Sequence, residues 1–297
     1  MLQLETGILD LAQPSVLLDS GCRRSHTAVM RHQAVQRAIL TMQERYMDHL
    51  MLQEIADAAQ LSPFHFDRVF RSMIGVSPSV FLAAIRMREA KKLLLMTKNS
   101  ITSICFDVGY TSLGTFTSRF TFLVGLAPSR FRLFAQEKIL QTGPDDLRHM
   151  VDGIRRMRAH HHAGEGIHGV VHSSVPFSGL TFVGLFSSPL PQGPPVGCCV
   201  MNSTGRYSIA PVPDGEYYLF SAAMDESQDL FSVLAQGPYL HGGRETPSVL
   251  VRHGRAVEER EIVLTPPIWA DPPIVVAFPW LFMQEFSQQS NLAAQLG

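Results

Sequence analysis

The sequence predicts a multidomain chain of α and β parts: an all-α domain of short capped helices, followed by an all-β sandwich. Three observations predict it. Apolar residues recur at three- and four-residue spacing from Gln33 to about residue 135, the period of helices with one buried face. Beyond residue 167 they gather in short β-rich runs, separated by Pro and Gly every ten or so residues. Charge divides at the same place: residues 31–135 hold 13 Lys/Arg against 7 Asp/Glu, net +6, and residues 136–297 hold 10 against 16, net −6. With 297 residues, 45% of them apolar, and a net charge of −1, the chain is neither disordered nor a uniformly basic coat. Only its first half is suited to a polyanion.

The expected organisation is an N-terminal arm over 1–30, a helical domain over 31–135, a linker over 136–166 and a β domain over 167–297. The arm gives weak signals and reads as irregular. After it, Val35, Ile39, Met42 and Tyr46 line one face of a helix. Helix starts are marked by Ser62-Pro63, Ser77-Pro78, Ser100, Ser112 and Pro128-Ser129. Gly75, Gly109 and Gly125 stand where helices end. About seven short helices result.

Two stretches share one design. In 52–75, Ile55, Ala56, Ala59 and Leu61 put small and apolar groups where two short helices cross closely. Ser62 then starts a second helix whose Phe66, Val69, Phe70 and Met73 face inward. In 101–125, Ile101, Ile104 and Val108 form the apolar face, and Cys105 stands where the first stretch has Ala56, 49 residues earlier. Gly109 and Tyr110 make the turn, and Phe116, Phe120 and Leu123 anchor the second helix. A long helix from Pro78 to about Met96 joins the two. Each stretch reads as a helix-turn-helix, whose second helix lies in a DNA major groove with its early residues at base edges.

The linker reads as a hinge, with a short helix near 145–158 and three histidines at 160–162. Strands are expected over 169–172, 181–187, 197–201, 206–209, 217–222, 231–234, 249–251, 257–264 and 274–277. Phe282, Phe286, Ala293 and Leu296 outline a C-terminal helix.

The double motif, the Phe66-x-Arg68-x-Phe70 run, the Gly75-x-Ser77-Pro78 elbow and the Arg86…Ala90…Leu93-Leu94 linker helix resemble the AraC/XylS family of transcriptional regulators. Gly109-Tyr110 and the closing run from Gly125 to Arg132 do so too. The resemblance covers roughly residues 34–134. It implies a homeodomain-like double helix-turn-helix domain reading two successive major grooves, about 34 Å apart. It also implies base-facing roles for Phe64, Asp67 and Arg68: Phe64 on a thymine methyl, Asp67 accepting from a cytosine amine, Arg68 bidentate to a guanine. Arg71 and the helix-start serines Ser62 and Ser112 fall to phosphates, which position the protein without specifying sequence. The second motif departs from the family. Ser118 stands where an arginine is usual, Arg119 comes one residue later, and Thr121 replaces the basic residue after Phe120. One residue is about 100° on a helix, so Arg119 does not inherit the role and is assigned to phosphate. Leu113, Thr115, Thr117 and Ser118 are left as base-facing positions.

In the acidic half, Gly205-x-Tyr207-x-Ile209 and Val212-Pro213-x-Gly215-x-Tyr217-x-Leu219 resemble the carboxypeptidase-regulatory-like, transthyretin-like family. That implies an Ig-like or prealbumin-like sandwich over about 166–265, a fold that hosts many roles. His168 and His172 have ligand spacing only on a helix, and their segment reads as extended. Asp225, Glu226 and Asp229 read as a charged loop rather than a calcium site, and Cys198-Cys199 has no catalytic partner nearby in sequence. No phosphate loop, nucleophile elbow or zinc-protease motif occurs, so neither an enzyme nor a cofactor nor a metal site is expected. No segment has 18 uninterrupted apolar residues and the N-terminus lacks the pattern of a secretory signal, so a cytoplasmic protein without membrane contact is expected. The expected partner is double-stranded DNA. RNA polymerase, a second copy of the chain and a small-molecule effector are further candidates. Two rival roles stay open for the sandwich: a carbohydrate or small-ligand module that controls or is served by the helical domain, or an assembly module using Trp280, Phe282 and Phe286.

Overall fold

Serine, proline and glycine set the helix boundaries. The computed structural model describes residues 19–141, 166–225, 228, 230–236, 240–243, 248–256 and 259–277. Its first part holds α1 (Asp19–Glu44), α2 (Leu52–Ala58), α3 (Pro63–Ile74), α4 (Pro78–Met96), α5 (Ile101–Asp107), α6 (Leu113–Val124) and α7 (Pro128–Gln141). The hydroxyls of Ser77, Ser100 and Ser112 accept from the N–H groups of Val80, Ser103 and Thr115. Each such cap is worth about 1 kcal/mol. Ser62 occupies the cap position of α3 without a side-chain cap bond. At α2 the cap is not a serine at all: the Met51 N–H donates to Glu54 Oε2 at 2.9 Å. Gly75 and Gly125 close α3 and α6 in the left-handed conformation, φ +84° and +90°. The expected irregular arm is helical from Asp19 onward, since α1 runs straight into the Val35–Ile39–Met42 face.

Two cores result, with α4 shared between them. The first collects α1, α2, α3 and the start of α4: Val35, Ile39, Met42, Ile55, Ala56, Phe66, Phe70, Phe81 and Ile85 are all at most 2% exposed. The second collects the end of α4 with α5, α6 and α7, around Met87, Ala90, Ile104, Cys105, Phe116, Phe120 and Phe131, all fully buried. Each core has the same aromatic chain. Phe66, Phe70 and Phe81 follow one another at 5.5 and 5.6 Å, and Phe116, Phe120 and Phe131 at 5.7 and 5.8 Å. Burying one such ring contributes about 2–3 kcal/mol. Met73, expected inward, is 39% exposed at the end of α3.

The second part holds β1 (Ile167–Ser173), β2 (Gly179–Phe186), β3 (Gly197–Met201), β4 (Gly205–Ile209), β5 (Gly215–Asp225), α8 (Leu230–Gln236), β6 (Leu240–Gly242), β7 (Val249–Arg252), β8 (Arg255–Ala256) and β9 (Arg260–Leu264). One sheet has the order β4-β1-β9, with β1 and β9 parallel. The other runs β3-β2-β5-β7-β8, with β6 also on β5. Residues of both sheets, among them Val171, Val183, Leu219, Val251 and Ile262, pack into one core. β2 is buried along its whole length, because its other side carries a second cluster of Leu180, Phe182 and Phe186.

Three strand expectations change. Residues 231–234 lie in helix α8, because four-residue spacing delivers Leu234 into the second helical core. Residues 274–277 form no ladder, although Val275, Val276 and Ala277 are buried; they run as a strap whose contacts replace strand pairing. Within 257–264, β9 spans Arg260–Leu264 and Glu259 lies before it, while residues 257–258 are outside the described residues. The three-residue β6 gave no sequence signal. Residues 145–158, the histidines at 160–162, Glu226, Asp229, Trp280, Phe282, Phe286 and the expected C-terminal helix lie outside the described residues. No single helix among the described residues is long and apolar enough to cross a membrane.

Candidate nucleic-acid interface

The repeat seen in sequence is a repeat in three dimensions. Ser62 and Ser112, Phe66 and Phe116, Phe70 and Phe120, Gly75 and Gly125, and Phe81 and Phe131 occupy equivalent places, each pair fifty positions apart. The preceding helices are offset by 49, Ala56 matching Cys105, so the second turn is one residue longer. Both turns need a positive φ: Gln60 has 59° and Gly109 has 80°.

This alignment fixes what each second helix presents. On α3, Phe64 is 80% exposed at the tip, Arg68 is exposed one turn further, and Asp67 is half-buried. Arg71 lies exposed below them and its Nε donates to Asp67 Oδ2 at 2.8 Å. On α6, Leu113, Thr115, Ser118 and Arg119 are exposed and Thr117 half-buried. The places of Phe64, Asp67, Arg68 and Arg71 are taken there by Gly114, Thr117, Ser118 and Thr121. The second helix therefore has no charged residue at any of these four positions. Arg119 lies on the flank toward Tyr110: its charge opposes the rise that burial imposes on that phenol. Ser62 and Ser112 stand exposed at the two helix starts.

The net +6 of the helical half is partly spent inside it. Arg37 donates to the Ala58 and Ala59 carbonyls, clasping the end of α2. Arg86 donates to the Tyr46 and Asp48 carbonyls and lies over the Tyr110 ring at 5.6 Å. Its burial lowers its pKa from the ordinary value. Arg132 makes a matching backbone clasp in the second unit, donating to the Leu94 and Asn99 carbonyls. Arg45 bridges Asp48 and Glu54, and Arg88 and Lys92 share Glu89. Lys91 is buried in α4, 5.9 Å from the Phe131 ring, and desolvation brings its pKa down to about 7. Composition alone treats all these cations as equivalent. Arg37, Arg86 and Arg132 are instead positioning residues, and each clasps backbone that sequence periodicity cannot locate.

His168 and His172 lie on the extended strand β1, and Cys198 and Cys199 on β3. His168 lies 3.5 Å from Glu259, and no group of three or more metal-ligating side chains occurs among the described residues. Between the two halves lie adjoining clefts of about 160 Å³ each, which share His241, Asp271, Pro272 and Ile274. Both are lined by a close pair, His241 Nε2 and Asp271 Oδ2 at 2.8 Å, about nine-tenths buried.

Paired short helices with exposed second-helix tips define a helix-turn-helix protein, and residues 55–133 match the family model of a helix-turn-helix domain. The lactose operon transcription activator of Staphylococcus xylosus is 29% identical over 98 residues, which is 33% of this chain and 35% of that protein. The transcriptional regulator ExsA of Pseudomonas aeruginosa is 31% identical over 98 residues, again 33% and 35%. A solved structure, a transcriptional regulator from Chromobacterium violaceum described as containing an AraC-type DNA-binding domain, is 24% identical. It covers 34% of this chain and 91% of its own, with a TM-score of 0.32. Residues 55–133 are a helix-turn-helix domain. The chain spans about a third of the length of these two curated relatives.

Proposed function

We propose that the protein is a sequence-specific DNA-binding transcription regulator of the AraC family, whose α3 and α6 enter successive major grooves. The observation that carries this reading is the pair of equivalent helices, each held by its C-terminal end and exposed at its N-terminal tip. Phe64, Asp67 and Arg68 are the principal base readers. Leu113, Thr115, Thr117 and Ser118 read methyls and acceptors more weakly, because none of them can make a bidentate charged contact. Ser62, Arg71, Ser112 and Arg119 hold phosphates. Arg71 exchanges Asp67 for phosphate at little cost, since an ion pair this exposed is worth under about 1 kcal/mol. The acidic half is a prealbumin-like sandwich that serves regulation or assembly and lies away from the duplex. A small effector would act from the clefts between the halves, and a second copy of the chain or RNA polymerase would dock on the same half. The site of action is the cytoplasm.

Selection of bound fragments from a random duplex pool by the full chain tests the reading. The expected product is a bipartite consensus, with its stronger element under α3 and its halves about one helical turn apart. Recovery of unenriched sequence, or retention that does not weaken between low and physiological salt, overturns it.

A further inference from the structure

Two segments of the β half reach past their own domain and touch both units of the helical domain. Leu190, 7% exposed, is part of the first helical core, and three residues on the Gly193 N–H donates to the Leu123 carbonyl at the end of α6. The second segment, residues 265–277, spans the same distance. Its root is tied to β6, where Thr265 and His241 exchange backbone hydrogen bonds and Asp271 pairs with the His241 ring. Trp269 packs on the first core and meets the edge of His32, ring centroids 4.7 Å apart. From Ile274 onward the strap alternates. Ile274 and Val276 join the cluster on β2 and β5, whereas Val275 and Ala277 join the second helical core. The Ala277 N–H donates to the Val124 carbonyl at 3.0 Å. Leu234 of α8 enters the same core.

Trp269 sits on α1, and the contacts of Leu190, Gly193 and Ala277 gather at the C-terminal ends of the reading helices. Ile74 and Gly75 at the end of α3 line the cleft beside Leu190, and Leu123 and Val124 at the end of α6 take the two backbone bonds. The opposite tips, with Phe64 and Leu113, are left open. Within the helical domain α4 runs through both cores, and Tyr46, on the connection after α1, packs against both. The two straps add a further path on the β side, and a frame closed on that side resists the twist and bend that α4 and one short connection transmit.

We infer that the β half is a brace that sets the spacing and phase of α3 against α6. Leu190, Trp269, Val275 and Ala277 are then specificity-determining residues: they choose the distance between two DNA elements rather than the bases in either. The inference rests on the reading of α3 and α6 as DNA-binding helices. Its physical basis is the geometry of the duplex. One added base pair moves the second element by about 3.4 Å and turns it by roughly 35°. A braced pair of helices cannot follow that change, and an unbraced pair follows it by flexing α4.

The test uses the full chain and the triple variant Leu190→Ala, Trp269→Ala, Val275→Ala. Spin labels are placed at positions 64 and 113 through a ketone-bearing residue, which leaves the native cysteines alone. The expected distance distribution is narrow in the parent and broad in the variant, and Trp269→Phe, which keeps a ring against His32, stays narrow. With the unlabelled proteins and the selected duplex, one inserted base pair is expected to weaken the parent about thirtyfold and the variant less than about fivefold. Equal distance distributions overturn the brace, whatever the DNA result. Equal insertion penalties with unequal distributions overturn its role in spacing. Failure of the parent to select any duplex is a separate result, which overturns the DNA reading and the brace's role with it.

Discussion

Arg68 and Arg71 show how one helix turn separates two kinds of contact. Arg68 stands exposed beside Phe64 near the tip of α3, and Arg71 lies further down, held by Asp67. Arg68→Ala is expected to relax preference at one base pair by about 1–3 kcal/mol, with little change on scrambled DNA. Arg71→Ala is expected to weaken all sequences alike and to lower the salt slope by about one. Titration of cognate and scrambled duplexes separates them, and a uniform loss for Arg68→Ala would contradict its base-reading role. Lys91 poses a different question, because its ammonium is buried beside Phe131 with a pKa near 7. The unfolded chain holds that proton up to the ordinary lysine value, above 10. Between about pH 7 and pH 10 the unfolded state therefore binds more protons, and stability rises with pH across that window. Below pH 7 both states are charged and the full burial cost remains. Lys91→Met should stabilise the chain at pH 7 by about 2 kcal/mol or more and remove its share of that rise. Urea unfolding at pH 7 and pH 9.5 checks both.

The two units use one design with unequal reading helices. The scaffold positions agree: Phe66 and Phe116, Phe70 and Phe120, Gly75 and Gly125. The outward positions do not, since Asp67 and Arg68 face Thr117 and Ser118 across the repeat. The turn before α6 is the most constrained point of the second unit. Gly109 has φ +80°, and a Cβ there would lie 2.7 Å from both the Tyr46 and the Met47 carbonyl oxygens. Backbone oxygens cannot withdraw as a side chain can. Gly109→Ala is expected to cost about 3 kcal/mol and to loosen the α1–α2 connection as well as the turn. Thermal unfolding measures the cost. A change in midpoint of under about 2 °C would mean that the backbone relaxes instead.

At the scale of the whole molecule the two halves share cores. Leu190 and Trp269 complete one helical core, and Leu234, Val275 and Ala277 complete the other. A segment of residues 19–141 on its own is therefore expected to fold with lower stability than the same helices in the full chain. A deficit of several kcal/mol follows from about 1.5–3 kcal/mol per fully buried aliphatic side chain. Helical circular dichroism during heating of both proteins checks it, and coincident transitions would mean that the halves do not support each other. The charge ledger also changes at this scale. With seven of the 13 cations of the helical half engaged by its own backbone, carboxylates or interior, six remain, and four to six phosphate contacts follow. The salt slope should then fall between about −4 and −5. A slope shallower than about −2 would contradict groove binding by both units.

By itself the sequence determined the division into halves, the repeat and the tips of both second helices. Those features rest on local physics: serine caps, left-handed glycines, and Phe residues four apart that can only meet on one helix face. The positions of most strands along the chain were legible for the same reason, since alternation and turn residues act over a few positions; their order within the sheets was not. Tertiary structure alone decided the rest. Whether the arginine counts toward a DNA surface or clasps a loop, as Arg86 does at Tyr46 forty residues away, depends on a partner remote in sequence. Residues 231–234 carry a β-rich composition, yet Leu234 is drawn into the helical core and its segment is helical. Residues 274–277 alternate as a strand should, but their odd and even side chains serve two different domains. Period and propensity describe what a segment can bury; what it buries against is set by the surface that the rest of the chain brings to it.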